Sequence, residues 1–274
     1  MKFVRAYCCS MEKPFARGTK HLRLASVWAI AAAPLLLMGS ASRGEPAAQI
    51  ELGAPAVVEL FTSQGCSSCP PADKLLASYA RGRDVIALSL PVDYWDYIGW
   101  KDTFASPAFS ARQKAYAVKR GDGHVYTPQV VVDGLRHAVG SDLNALRAMV
   151  KESFGHKGAL KVSIAAKLEG DKLVCNLGAA APGAPAKAGL WLYRISGSRE
   201  VSIGRGENRG RKVVYVNVVR SMHKAGEWAG KPVRIEIPAE ALKRGDGDGW
   251  VLLLQAGDID RPGVILAAAK APGF

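Results

Sequence analysis

The stretch that most constrains this chain is Gly65-Cys66-Ser67-Ser68-Cys69-Pro70. It follows an apolar run, Ala56-Val57-Val58-Glu59-Leu60-Phe61-Thr62, and precedes a helical pattern, Asp73-Lys74-Leu75-Leu76-Ala77-Ser78-Tyr79-Ala80. Two cysteines separated by two residues, where a strand turns into a helix, suit thiol–disulfide chemistry. The unpaired N–H groups and the dipole at a helix start favour a thiolate on the first cysteine. The second lies about one turn on, close enough to close a disulfide with the first.

The elements around this pair follow a definite order. Residues 56–62 read as a central strand covered on both faces. Residues 67–80 read as a helix whose prolines, Pro70 and Pro71, fall in the first turn, where a missing N–H costs least. Residues 84–92 form a second apolar strand, and residues 93–105 an aromatic-rich loop. Ser106-Pro107 supplies an N-cap and a first-turn proline for a helix to about 119, with Ala108, Ala111, Ala115 and Val118 on one face. Strands at 129–132 and 136–139 flank an Asp133-Gly134 turn, and Ser141-Asp142 opens a last helix to about 154. This β-α-β-α-β-β-α order resembles that of a thioredoxin-like α/β domain, expected over 56–155. Its βαβ crossover would be right-handed. The cysteines would lie beyond the carboxyl ends of the parallel strands, where such sheets bind ligands.

Residues 156–274 change character. Helical periods give way to about seven short alternating runs: 160–164, 172–177, 189–195, 212–219, 233–237, 250–255 and 263–267. Gly- and Pro-rich turns separate them, and the pattern predicts an antiparallel β-sandwich-like domain. No internal repeat or heptad is visible.

The N-terminus predicts export. Residues 1–26 are basic, and Val27–Met38 is an apolar stretch too short to span a bilayer comfortably. Small residues follow it, so 1–43 reads as a signal peptide and 44–55 as a linker. No cysteine follows the apolar core to carry a lipid, and no stable membrane anchor is expected after cleavage. Removing 1–43 takes away seven of the 37 basic residues and one of the 24 acids. The remaining net charge of +7 is mild, and no basic run is interleaved with aromatics, which argues against a nucleic-acid partner. The leader also carries Cys8 and Cys9, so the mature chain keeps Cys66, Cys69 and Cys175. In an oxidising compartment that is one close pair plus a leftover, Cys175, expected to be buried in a strand.

Several residues could serve the cysteine pair. Cys66 is the expected nucleophile and Cys69 the resolving thiol. In Tyr126-Thr127-Pro128-Gln129 the proline precedes a strand, where thioredoxin-like folds place a cis proline facing the cysteines. Thr127 would offer backbone groups to a bound segment, and Tyr126 would flank it. Asp93, Trp95, Asp96 and Trp100 follow the second parallel strand; they would either wall the site and select a partner or pack against the β-rich region. Glu59, in an apolar strand, could move protons with a pKa raised by desolvation, or could sit in a structural salt bridge. Many thioredoxins carry a buried acid one position later, at Leu60 here, and alternation turns Glu59 and Leu60 to opposite faces. His124 and His137 lie near the proline loop, so Cys66, Cys69 and His124 offer a copper or zinc site as an alternative. Residues 204–211, Gly-Arg-Gly-Glu-Asn-Arg-Gly-Arg, read as a basic hairpin tip or a substrate-contacting loop.

Taken together, residues 58–73, Val92-Asp93-Tyr94-Trp95-Asp96-Tyr97-Ile98-Gly99-Trp100, Tyr126-Thr127-Pro128-Gln129 and Gly206-Glu207-Asn208 resemble a bacterial family of exported thioredoxin-like proteins of unknown function. The resemblance spans roughly 55–270 and implies a thioredoxin fold with a β-rich tail, without supplying a reaction. The family pattern has a histidine before the Val-Asp-Tyr-Trp run, where this chain has Pro91. The expectation is an exported thiol–disulfide oxidoreductase acting on protein or small-molecule thiols and disulfides, with no cofactor and no resident metal. The alternative is a binding or copper/zinc-delivery module on the same frame.

Overall fold

A seven-residue strand, Ala56–Thr62 (β1), is buried at every position. The computed structural model describes residues 56–82, 85–153, 159–243 and 246–274; the expected leader at 1–43 and linker at 44–55 lie outside them. Val85–Pro91 (β2) pairs with β1 in parallel, and Gln129–Val132 (β3) pairs with it antiparallel on the other side. Arg136–Val139 (β4) closes a hairpin with β3. The helices are Pro70–Ala80 (α1), Pro107–Arg120 (α2) and Leu143–Ser153 (α3). A single 3-10 turn, Asp96–Ile98, interrupts the aromatic loop.

Alternation along β1 sorts the two faces. Val58 and Leu60 pack with Ala72 and Leu76 of α1 and Leu146 and Met149 of α3. Val57 and Phe61 face the other way, toward Phe109 and Tyr116 of α2. Helix α2 starts as expected, with Ser106 Oγ accepting from the Ala108 N–H at 3.3 Å and Pro107 in the first turn. Its buried face differs from the one expected. Phe109, Arg112, Gln113, Tyr116 and Ala117 turn inward, while Ala108, Ala111 and Val118 are exposed. Of the expected face only Ala115 is buried. The cause is polar: Arg112 meets Glu59, and Gln113 meets Gln129 and the Tyr126 carbonyl, so hydrophobicity alone misassigned the helix face.

The β-rich region contributes Ile164–Glu169 (β5), Lys172–Leu177 (β6), Ala188–Ser202 (β7), Lys212–Trp228 (β8) and Val233–Pro238 (β9). A short helix, Ala239–Lys243 (α4), and strands Gly249–Gly257 (β10) and Pro262–Lys270 (β11) complete it. Strands β5, β6 and β9 form a three-stranded antiparallel sheet; the other eight form one sheet in the order β11-β10-β7-β8-β2-β1-β3-β4. The smaller sheet covers one face of the larger. Ile164, Leu173, Cys175 and Leu177 pack on Leu190, Leu192, Leu252, Leu254 and Leu266.

A boundary at residue 156 therefore does not separate two sheets, because four β-rich strands continue the sheet begun by β1–β4. The seam is the parallel pairing of β2 with β8 at Ser89 and Val218. Two side chains reinforce it: Ser89 Oγ donates to the Val216 carbonyl, and Asn217 Nδ2 to the Ala87 carbonyl, both at 2.9 Å. Strands β7 and β8 run well past their expected ends at 195 and 219. Beyond Ser196, β7 alternates half-buried and exposed residues, as in a ribbon with one covered face. That extension carries the 203–211 tip back to the cysteine turn. Among the described residues no helix is long and apolar enough to cross a membrane.

Candidate functional site

Cys66 and Cys69 are joined by a disulfide across a turn, with Cα atoms 5.4 Å apart. The turn is closed by the Cys69 N–H donating to the Cys66 carbonyl at 3.2 Å. Regular helix begins later than the sequence predicts, at Pro70 rather than 67. Pro70 and Pro71 have no N–H to give to the residues four back, so the helical ladder starts with Ala72 and Asp73, which both donate to the Cys69 carbonyl. Cys69, not Cys66, is thus the N-cap residue, with helical backbone angles. Cys66 is 1% exposed and Cys69 fully buried, while Ser67 and Ser68 between them face solvent.

Two segments build the walls. Gln64, buried beside the turn, is clamped by the aromatic segment: its N–H donates to Asp102 Oδ2 at 2.7 Å, and its Oε1 accepts from Trp100 Nε1 at 2.8 Å and from the Thr103 N–H. Gly65 lies so close to Trp95 and Ile98 that an added Cβ would come within 3.1 Å of Trp95 Cβ. The second wall is the β7–β8 tip. Asn208, 1% exposed, donates through Nδ2 to the Gln64 carbonyl at 2.9 Å and the Cys66 carbonyl at 2.8 Å. Gly204 and Gly206 lie against Trp100. So the tip read as a basic hairpin docks onto the cysteine turn, with its arginines outward.

The proline loop joins the same neighbourhood. The Thr127–Pro128 peptide is cis, and Pro128 lies near Gly140, Leu60 and Ala72 of α1. Trp95 Nε1 donates to Thr127 Oγ1 at 2.7 Å, bringing two of the expected substrate-contacting residues together. Tyr126 is turned to His137, its hydroxyl 2.9 Å from Nδ1.

Glu59 is held elsewhere. Arg112 grips it with two hydrogen bonds, at 2.8 and 3.1 Å, and the Tyr116 hydroxyl donates to it at 2.6 Å. Its side chain is fully buried on the α2 side of β1, where the arginine compensates its charge. That is the structural salt bridge of the two readings. The acid on the cysteine side is Asp73, on the first turn of α1 and 2% exposed. Thr62 Oγ1 donates to Asp73 Oδ1 at 2.8 Å, and Oδ2 is buried with no hydrogen-bond partner among the described residues. Burial pushes this carboxyl up to about 8 against the pull of the Thr62 bond, and the nearby Asp102 charge adds to the rise. Asp102 is itself pushed up to about 6 by burial, against bonds from the Gln64 and Phe104 N–H groups. Sequence reasoning passed over Asp73, although its spacing from Leu76 places it on the apolar face of α1. Asn208 stands in the Gly206-Glu207-Asn208 motif, but no local pattern gives its role, because its partners are backbone carbonyls 142 and 144 residues away.

Cys175 is buried in β6 as expected, and burial pushes its thiol up to about 12. Cys66 and Cys69 are bonded to each other here, so in this form neither sulfur is open to a metal with His124. Among the described residues, Asp122, His124 and His137 do come within cation-binding spacing. Asp122 is already gripped there by the Arg120 guanidinium, which holds its carboxyl well below the usual carboxylate range.

Two solved structures are similar to this chain. A protein of Agrobacterium tumefaciens, solved by X-ray crystallography in a structural genomics programme, is 32% identical. It matches 82% of this chain and 96% of its own, with a TM-score of 0.72. HBP35 of Porphyromonas gingivalis is 12% identical, matches 80% of this chain and 75% of its own with a TM-score of 0.50, and so compares in fold alone. No curated protein matches the sequence. A family model described as "Protein of unknown function (DUF1223)" matches residues 57–255, which span the cysteine turn, both walls and the β2–β8 seam. The chain belongs to this DUF1223 family.

Proposed function

We propose that residues 56–155 are a thioredoxin-like unit and that the chain is an exported thiol–disulfide oxidoreductase. Cys66 is the sulfur attacked by a substrate thiolate, and Cys69 is the resolving or leaving thiol. The observation that carries this reading is the Cys66–Cys69 bond at the first strand-to-helix junction, with Asn208 holding the Cys66 carbonyl and Gln64 anchored to Trp100 beside the turn. An inert clip has no need of a buried acid without a charge partner beside it. Asp73 is such an acid, and buried acids with perturbed pKa mark sites of proton transfer. The side chains of Trp95 and Thr127, joined to each other, form the wall a substrate segment would meet. Because Cys66 is 1% exposed, exchange requires the covering loops to yield.

The test is turnover. The chain is expected to reduce insulin with dithiothreitol as electron donor or to oxidise a dithiol peptide, and a Cys66→Ser variant to do neither. Wild-type protein inactive in both assays would sink this reading.

A further inference from the structure

Asp73 and Cys69 are four residues apart on one continuous helical path. Cys69 has helical backbone angles, and the Asp73 N–H donates to the Cys69 carbonyl at 3.1 Å. Residues at this spacing project from the same helix face. Both are buried, so the face they share is the one turned toward the sheet. Thr62, at the end of β1, holds one carboxyl oxygen, and Oδ2 has no hydrogen-bond partner among the described residues. We propose that Asp73 is the proton partner of Cys69. It gives a proton to the Cys69 sulfur when the disulfide opens and takes it back when the disulfide re-forms. The inference rests on the thiol–disulfide reading and adds a residue to it.

The electron and proton count closes. A substrate thiolate attacks Cys66 Sγ, the Cys66–Cys69 bond breaks, and its electron pair leaves on Cys69 Sγ. The Asp73 carboxyl proton moves to that sulfur, leaving a carboxylate. A second substrate thiolate attacks the substrate sulfur of the mixed disulfide, and Cys66 departs as a thiolate. The substrate is now a disulfide, and two electrons rest on the cysteine pair. Without the proton, a thiolate would be left at a fully buried position, which low dielectric disfavours. The disulfide form seen here is also the form in which burial keeps Asp73 neutral, with the proton in place.

The groups that bear on this titration come from three elements: Thr62 on β1, Asp102 in the aromatic segment and Tyr215 on β8. None is a cation, so nothing in this set pulls the carboxyl back to its ordinary range. Glu59 cannot take the role, because Arg112 holds it on the other face of β1.

The test is the reduction of the Cys66–Cys69 disulfide by dithiothreitol, followed by tryptophan fluorescence from pH 6 to 10. The rate is divided by the thiolate fraction of the reductant. In wild type this normalised rate is expected to fall as pH passes about 8. In Asp73→Asn, which keeps the shape of the neutral carboxyl, it is expected to be flat and about a hundredfold lower below pH 8. A variant matching wild type in rate and pH profile would overturn the inference while leaving the oxidoreductase reading intact. A wild-type disulfide that dithiothreitol does not reduce would overturn both. If Asp73→Asn does not fold, carboxyl NMR of the disulfide form decides: titration near 8 supports the assignment, and titration in the ordinary carboxylate range overturns it.

Discussion

Two buried carboxylates flank β1, and they are solved in opposite ways. Glu59 faces α2, where Arg112 cancels its charge and the Tyr116 hydroxyl fills the remaining valence. Gln255 of β10 ties the cluster together through Arg112 and Tyr116, so it also fastens the extended sheet to α2. Asp73 faces the cysteine side with one neutral hydroxyl as partner, one orphaned oxygen and another carboxylate nearby. A buried acid with a full set of partners stabilises a fold. One left short of partners weakens it, and such a cost persists where chemistry uses it.

On the compensated side a single substitution is severe. Arg112→Met leaves the Glu59 charge buried without its cation, and stability is expected to drop by about 3–5 kcal/mol in denaturant unfolding. Thiol exchange in the folded fraction should persist. A loss of under about 1 kcal/mol would mean that the Glu59 side is not held by charge.

The next effect sharpens the other side through pH. A carboxyl raised from 3.8 to about 8 keeps its proton in the folded state while the unfolded chain has lost it. The folded state then binds more protons, so stability falls as pH rises between these values, by about 1.4 kcal/mol per pH unit. Below about 4 and above about 8 the contribution is flat. Wild type should therefore lose about 2.7 kcal/mol more than Asp73→Asn between pH 5 and pH 7. Equal pH profiles for the two proteins would place Asp73 in the ordinary carboxylate range.

A smaller effect concerns the clamp. Asn208→Ala removes the donor to the Gln64 and Cys66 carbonyls, at a cost of about 2 kcal/mol for leaving buried acceptors unmet. The same change should speed dithiothreitol reduction of the disulfide, because the turn is freed on one side. An unchanged or slower rate would show that the 203–211 tip does not restrain the turn.

What the sequence made legible follows from the range of each interaction. The β1–α1–β2 run, the Ser106-Pro107 start of α2 and the proline before β3 are local patterns, and local chemistry decides them. That Glu59 and Leu60 face opposite sides of β1 follows from strand alternation alone. The true start of α1 was legible in principle, since two consecutive prolines withhold the donors that would have tied residues 66 and 67 into the helix. The buried face of α2 was not, because Arg112 and Gln113 look like surface residues until Glu59 and Gln129 are known to await them. The same holds for the seam between β2 and β8, where Ser89 and Asn217 make bonds across 127 and 130 residues. No periodicity within either strand announces that pairing, which is why the β-rich region reads as a separate body in sequence.

Whether the Cys66–Cys69 bond exchanges or staples is read from the reduction potential of that pair. Equilibration against glutathione, with alkylation of the freed thiols, gives the value. A potential between about −120 and −270 mV is expected, the span of disulfides that exchange with substrates. A value below about −300 mV, typical of structural disulfides, would contradict exchange.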